Sequence, residues 1–155
     1  MLSETQQIFA NLVANAIESM HRNGRLAIRI RPSLDWRDET TRGMRVTICD
    51  TGHGIDRATV SRIFEPFFTT KQETGTGLGL WVVAQLLERH HGSVRVWSSR
   101  RPGASGTAFS VFLPFGKSAG DQETTDSGEG TTTEEPQREP AETYTPGPFH
   151  QHQYA

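Results

Sequence analysis

Asn11 and Asn15 are four residues apart, the spacing that stacks two side chains on one helix face. Their amide oxygens are neutral, hard ligands of the kind Mg²⁺ accepts beside waters and substrate phosphates. Taken alone, the pair is equally two solvated helix asparagines. Farther on, Asp50-Thr51-Gly52-His53-Gly54 directly follows an apolar, strand-like run. That order puts a carboxylate at a strand end and two glycines where the backbone turns tightly or approaches a ligand. An ionised carboxylate there can accept a hydrogen bond from an exocyclic amine such as that of adenine, or belong to an ordinary turn. His53, between glycines, is a ligand, a base or simply an exposed loop residue.

Gly75-Thr76-Gly77-Leu78-Gly79-Leu80 opens a helical pattern. Glycines leave backbone N–H groups able to meet an anion, and a helix N-terminus adds a favourable dipole, so a phosphate chain suits this run. A Rossmann reading fails because no strand immediately precedes it, and the chain contains no Gly-Lys-Ser or Gly-Lys-Thr of a P-loop. Before it lies Phe64-Glu65-Pro66-Phe67-Phe68-Thr69-Thr70-Lys71, three aromatics with a Pro and a terminal Lys. These residues can pack as a buried connector. The same aromatics can anchor a lid that folds over a ligand, with Lys71 meeting phosphate.

The elements that position these groups follow from periodicity. Ile8, Phe9, Leu12, Val13, Ala16, Ile17 and Met20 repeat at helical spacing, so a helix is expected over 3–21, closed by Asn23-Gly24. Leu26, Ile28 and Ile30 alternate with other residues as a half-buried strand, and Met44 to Cys49 form a second after a polar loop with Pro32 and Gly43. Asp56 caps a short helix to about Ile63. Leu78 to Leu87 mark a third helix ending near His91-Gly92, followed by closing strands Val94–Trp97 and Thr107–Leu113. The order describes an α+β sandwich, a mixed sheet with helices on one face.

With 155 residues, 34% hydrophobic and 22% charged, the chain suits one modest soluble domain rather than a multidomain machine. No stretch approaches the roughly 18 apolar residues of a membrane span, and a cytoplasmic location is expected. Cys49 is the only cysteine, which excludes an intrachain disulfide and a thiolate metal cluster. Residues 1–115 carry 14 basic and 10 acidic side chains; residues 116–155 carry 2 and 8. That last segment is poor in apolar residues and is expected to be a disordered acidic tail. A partner-binding peptide anchored by Tyr144, Phe149 and Tyr154 is the alternative. The mild basic excess of the body does not suffice for a nucleic-acid role.

In order and spacing, the motifs of residues 6–114 resemble the ATP-binding domain of bacterial sensor histidine kinases, of the Bergerat-fold group shared with gyrase, heat-shock chaperones and mismatch-repair ATPases. The resemblance runs through Asn11-Leu12-Val13-Ala14-Asn15-Ala16 as the N box and Asp50-Thr51-Gly52-His53-Gly54-Ile55 as the G1 box. Phe64-Glu65-Pro66-Phe67-Phe68 matches the F box and Gly75 to Leu80 the G2 box; the F-box run also looks like kinases related to nitrogen-regulation sensors.

The resemblance implies that ATP and Mg²⁺ bind here. Asn15 would coordinate Mg²⁺, Asn11 would support the metal and phosphate site, and Asp50 would bind the adenine amine. Gly52, Gly54 and Ile55 would approach the purine. Thr70 and Lys71 on the lid, with Gly75, Thr76, Gly77, Leu78 and Gly79, would shape the phosphate side. The group's dedicated hydrolases carry a glutamate general base where this chain has Asn11, and an amide cannot take that proton, which favours phosphoryl transfer to a protein group.

No phosphoacceptor motif surrounds His21, His53, His90, His91, His150 or His152. The acceptor histidine is therefore expected on a separate dimerisation module, with a response regulator downstream. In the family the domain starts a few dozen residues earlier, so an N-terminally truncated domain lacking its first strand is expected, monomeric without the hairpin. The competing readings are a catalytically inactive nucleotide-binding pseudokinase and a serine kinase of the anti-sigma type.

Overall fold

The computed structural model describes residues 3–20, 23–70, 75–116 and 150–154. Helix α1 spans Glu4–Ser19. It starts with a capping box in which the Ser3 hydroxyl accepts from the Gln6 N–H and the Gln6 side chain accepts from the Ser3 N–H, with Glu4 in the positive first turn. Strands β1 (Leu26–Leu34) and β2 (Arg42–Asp50) form a hairpin. After β2 come α2 (Arg57–Val60), α3 (Gly79–Arg89), β3 (Ser93–Arg101), β4 (Ala104–Pro114) and β5 (His150–Tyr154).

The strand order is β1-β2-β4-β3-β5 and every pairing is antiparallel, so the sheet is antiparallel where the sequence reading expected a mixed one. The backbone of β5 pairs with β3 from Val94↔Tyr154 to Ser98↔His150. The rest of the expected tail, 117–149 and 155, lies outside the described residues. Two local expectations also change. Strand β1 runs through Pro32, which a strand at the sheet edge tolerates because its missing N–H can face solvent. Helix α2 is one turn long, capped by Asp56, and gives way to turns before Pro66, which disfavours helical backbone at the residue before it.

One face of the sheet holds the core. Ile8, Leu12 and Ala16 of α1 and Val83, Leu86 and Leu87 of α3 pack against Val46, Ile48, Val94, Val96, Phe109 and Val111. Two helices about 10 Å across span roughly four strands spaced about 4.8 Å apart. The helix layer does not reach the β1 edge, and Ile28 and Ile30, which share the helix-side face with Ile48 and Val46, remain 52% and 64% exposed.

On the opposite face Trp36 folds over Phe112, edge to face at 6.1 Å, with the Arg45 and Arg95 guanidiniums stacked on its ring. The loop carrying Trp36 is anchored by Asp35, which is buried. Arg37 binds its carboxylate through Nε (3.2 Å) and an η nitrogen (2.9 Å), and reaches the His91 carbonyl at 3.1 Å. Removing the arginine strands a buried carboxylate, so Arg37→Ala is expected to destabilise by about 1 to 3 kcal/mol. Chemical denaturation of both proteins checks this, and an unchanged midpoint would show that Asp35 is hydrated or repaired by another donor.

Candidate functional site

Helix α1 presents two parallel stripes. Ile8, Leu12 and Ala16 point into the core, and Asn11 and Asn15 point into a cavity of about 270 Å³ between α1, the α3 N-terminus and the end of the sheet. Because the turns repeat every 3.6 residues, the polar stripe continues to Ser19, which lines the same cavity. Asp50, Ile55, Thr70, Gly75, Thr76, Gly77 and Gly79 also line it, so most of the site residues expected from sequence converge on one cavity. Gly52, Gly54 and Leu78 do not form its wall, and Lys71 lies outside the described residues.

The geometry at Asp50 decides what the cavity can recognise. Its Oδ1 accepts three hydrogen bonds, from the Gly52 N–H (2.8 Å), the Ser19 hydroxyl (3.1 Å) and the Thr107 N–H (3.2 Å). Among the described residues Oδ2 accepts none. One oxygen is held by the fold and the other is left as an acceptor for a ligand donor.

Burial pushes the Asp50 carboxyl above its usual 3.8, while the Gly52, Ser19 and Thr107 hydrogen bonds and the nearby His53 hold it down. The sign follows from linkage. As pH falls through the raised native value, Asp50 takes up a proton, this group favours the fold more, and the acceptor facing the cavity is lost. Binding of a ligand through its amine is therefore expected to fail at a pH above 3.8 while the domain stays folded, which parallel ligand titration and circular dichroism against pH can check.

The glycines around Asp50 serve close backbone packing. Gly52 lies against Ser19, where a Cβ would strike the hydroxyl, and Gly54 has φ +73° with its missing Cβ aimed at the Ser99 carbonyl. The next N–H, of Ile55, donates to the Ser98 hydroxyl at 2.8 Å, and that hydroxyl also contacts Gly106 O and Thr107 Oγ1. The loop is thus pinned to β3 and β4. His53 donates through Nδ1 to the Gly54 carbonyl at 2.6 Å and lines the cavity.

At the other end, α3 begins at Gly79 with no side-chain cap, leaving first-turn N–H groups without the partner a cap would supply. A Cβ at Gly79 would sit 3.6 Å from Asn11 Oδ1, so the amide oxygen of α1 looks onto this N-terminus. Phe64 and Phe68 pack against the core, as a connector would. Phe67 is 74% exposed with φ +62°, and its backbone abuts Gly77.

No group of three or more His, Cys, Asp or Glu side chains is placed to hold a metal ion among the described residues. The donor set at the cavity is instead Asn11, Asn15 and Glu18 beside an anion-favouring helix start, which suits a cation shared with phosphates and waters. Ser19 and Thr107 escaped the sequence reading. For Ser19 the signal was its place four residues beyond Asn15; for Thr107 nothing local marked a backbone N–H as a ligand of Asp50.

Residues 3–117 match the model of the histidine kinase-, DNA gyrase B-, and HSP90-like ATPase family. Sporulation kinase A of Bacillus subtilis is 40% identical over 112 residues, 72% of this chain but 17% of that protein, so the chain spans about a fifth or less of such relatives. Among solved structures, a mycobacterial sensor histidine kinase, MprB, superposes with a TM-score of 0.60 at 28% identity, covering 72% of this chain and 70% of that one. Full-length ShkA in complex with AMPPNP gives a TM-score of 0.54 at 27% identity over 72% of this chain and 22% of its own.

Proposed function

Because this chain belongs to the histidine kinase-, DNA gyrase B-, and HSP90-like ATPase family, as an ATP-binding catalytic domain of the sensor histidine kinase type, we propose that it binds Mg·ATP and transfers the γ-phosphoryl group to a histidine on a dimerisation module. The observation that carries this reading is the Asp50 carboxylate at the cavity wall, held through Oδ1 while Oδ2 has no partner among the described residues. An adenine amine is the matching donor, and placing the base there directs the triphosphate toward Gly75–Gly79 and the uncapped start of α3. Bound to Asn15, with Asn11 beside it, Mg²⁺ would neutralise phosphate charge.

The chain's own contribution is positioning. Asn11 has no basicity to activate water, so the site favours transfer over hydrolysis. The phosphorylated histidine in turn supplies a response-regulator aspartate. We place this activity in the cytoplasm, where ATP is available; no helix among the described residues is long and apolar enough to cross a membrane.

Calorimetric titration with ATP tests the reading first. Saturable binding is expected, weakened about tenfold or more by chelating Mg²⁺, with that dependence reduced in Asn15→Ala. Supplying a helical hairpin module with its histidine should then yield acid-labile phosphate on the hairpin. Acid-stable phosphoserine, or binding with no transfer, would replace the histidine-kinase reading with one of its competitors.

A further inference from the structure

Ser19, the last residue of α1, makes three connections to Asp50 at the end of β2 and the loop that follows it. Its hydroxyl donates to Asp50 Oδ1 at 3.1 Å, with the Ala16 carbonyl as its other acceptor at 2.9 Å. Its carbonyl accepts the His53 N–H at 3.2 Å. Gly52 packs so closely against it that no Cβ fits between them. The same helix carries Asn15 one turn earlier and Asn11 two turns earlier, on the cavity side.

We propose that Ser19 is a positioning residue for base recognition. It holds the Asp50 carboxylate by Oδ1 so that Oδ2 faces the cavity, and it fastens the base-reading loop to the helix that bears the two asparagines. The inference rests on the nucleotide reading above and adds to it the residue that joins the base end of the site to its phosphate end.

A carboxylate held by two backbone N–H groups of one loop and one strand can still turn about its own axis; a third donor from a different element, α1, locks the plane. The hydroxyl has one proton and two acceptors. Ionised Asp50 draws it to Oδ1, while the Ala16 carbonyl already accepts the Met20 N–H at 3.3 Å and has less need of it. Among the described residues, few titratable groups face Asp50. His53 comes from its own loop, Cys49 precedes it on β2, and Glu18 of α1 lines the same cavity; β4 contributes the Thr107 N–H rather than a charge.

The experiment uses the full chain with Ser19→Ala and the conservative Ser19→Thr. Two probes are titrated against pH: Mg·ATP, and purine riboside triphosphate, which lacks the exocyclic amine. Loss of a hydrogen bond to a charged acceptor is expected to weaken ATP about tenfold in Ser19→Ala. Purine riboside triphosphate should change little, so the preference between the two collapses by the same factor. The acid limb of ATP binding should move to higher pH, and carbon-13 titration of Asp50 in the nucleotide-free protein should show its midpoint rising. Ser19→Thr restores all three.

A merely structural Ser19 would weaken both nucleotides together and leave the Asp50 midpoint in place, which overturns the inference. So does a folded Ser19→Ala with unchanged preference and midpoint. A wild-type chain that binds neither nucleotide sinks the functional reading itself, an outcome distinct from both.

Discussion

Asp50→Asn abolishes detectable ATP binding at neutral pH while leaving the domain folded. Asparagine keeps one oxygen for the Gly52, Ser19 and Thr107 donors, which puts its NH₂ where Oδ2 stood. Donor then faces donor at the adenine amine. The alternative rotamer serves the base but turns the NH₂ onto the two fixed N–H donors of Gly52 and Thr107. Either way a charge-assisted bond is lost and a buried polar group is left unmatched, together about 3 to 5 kcal/mol, or roughly two to four orders of magnitude in affinity.

Stability should move far less. Burial raises the Asp50 carboxyl above 3.8, so its charge is harder to keep in the folded protein than in the unfolded one. Its contribution to stability is fully present below 3.8 and is lost as pH rises through the raised native value. Asparagine removes that charge, and the variant should gain relative to wild type as the pH approaches neutral. Calorimetric titration beside thermal melts at acid and neutral pH measures both effects. Wild-type affinity in Asp50→Asn would dismiss Asp50 as the base acceptor.

Phe112→Ala carries the largest expected loss of stability, about 3 to 5 kcal/mol, or a fall in melting temperature of about 10 to 20 °C. Phe112 is fully buried although it lies on the sheet face opposite both helices. It is buried there because Trp36 covers it, with Arg45 and Arg95 flanking the indole. Truncation leaves a cavity under a ring held by the Asp35–Arg37 pair, so the site can collapse only if that loop shifts. Trp36→Ala should cost less, and the double variant should cost less than the sum of the two, since the second truncation removes contacts the first already broke. Denaturant unfolding of the four proteins measures the coupling, and strict additivity would show that Phe112 is buried by something other than Trp36.

The sequence by itself determined what acts over short range. The repeat Ile8, Leu12, Ala16 set which face of α1 enters the core, and the polar positions beside it set where Asn11 and Asn15 point. The glycines marked the turn after β2 and the start of α3, because φ above zero and close backbone approach need them. The motif spacing identified the family. Each of these rests on periodicity, turn chemistry or the order of motifs along the chain, none of which needs a contact between distant elements.

The tertiary structure decided everything that depends on which element covers which. Alternation placed Ile28 and Ile30 on one face of β1, but only the width of a two-helix layer shows that this face is left exposed. Phe112 alternates like an outward residue and is buried because a loop some 75 residues earlier folds over it. The orientation of Asp50 required donors from α1, its own loop and β4 to meet at one oxygen. A carboxylate's type and position are local properties. Which of its two oxygens remains for a ligand is settled only when distant backbone groups, brought together by the fold, have claimed the other.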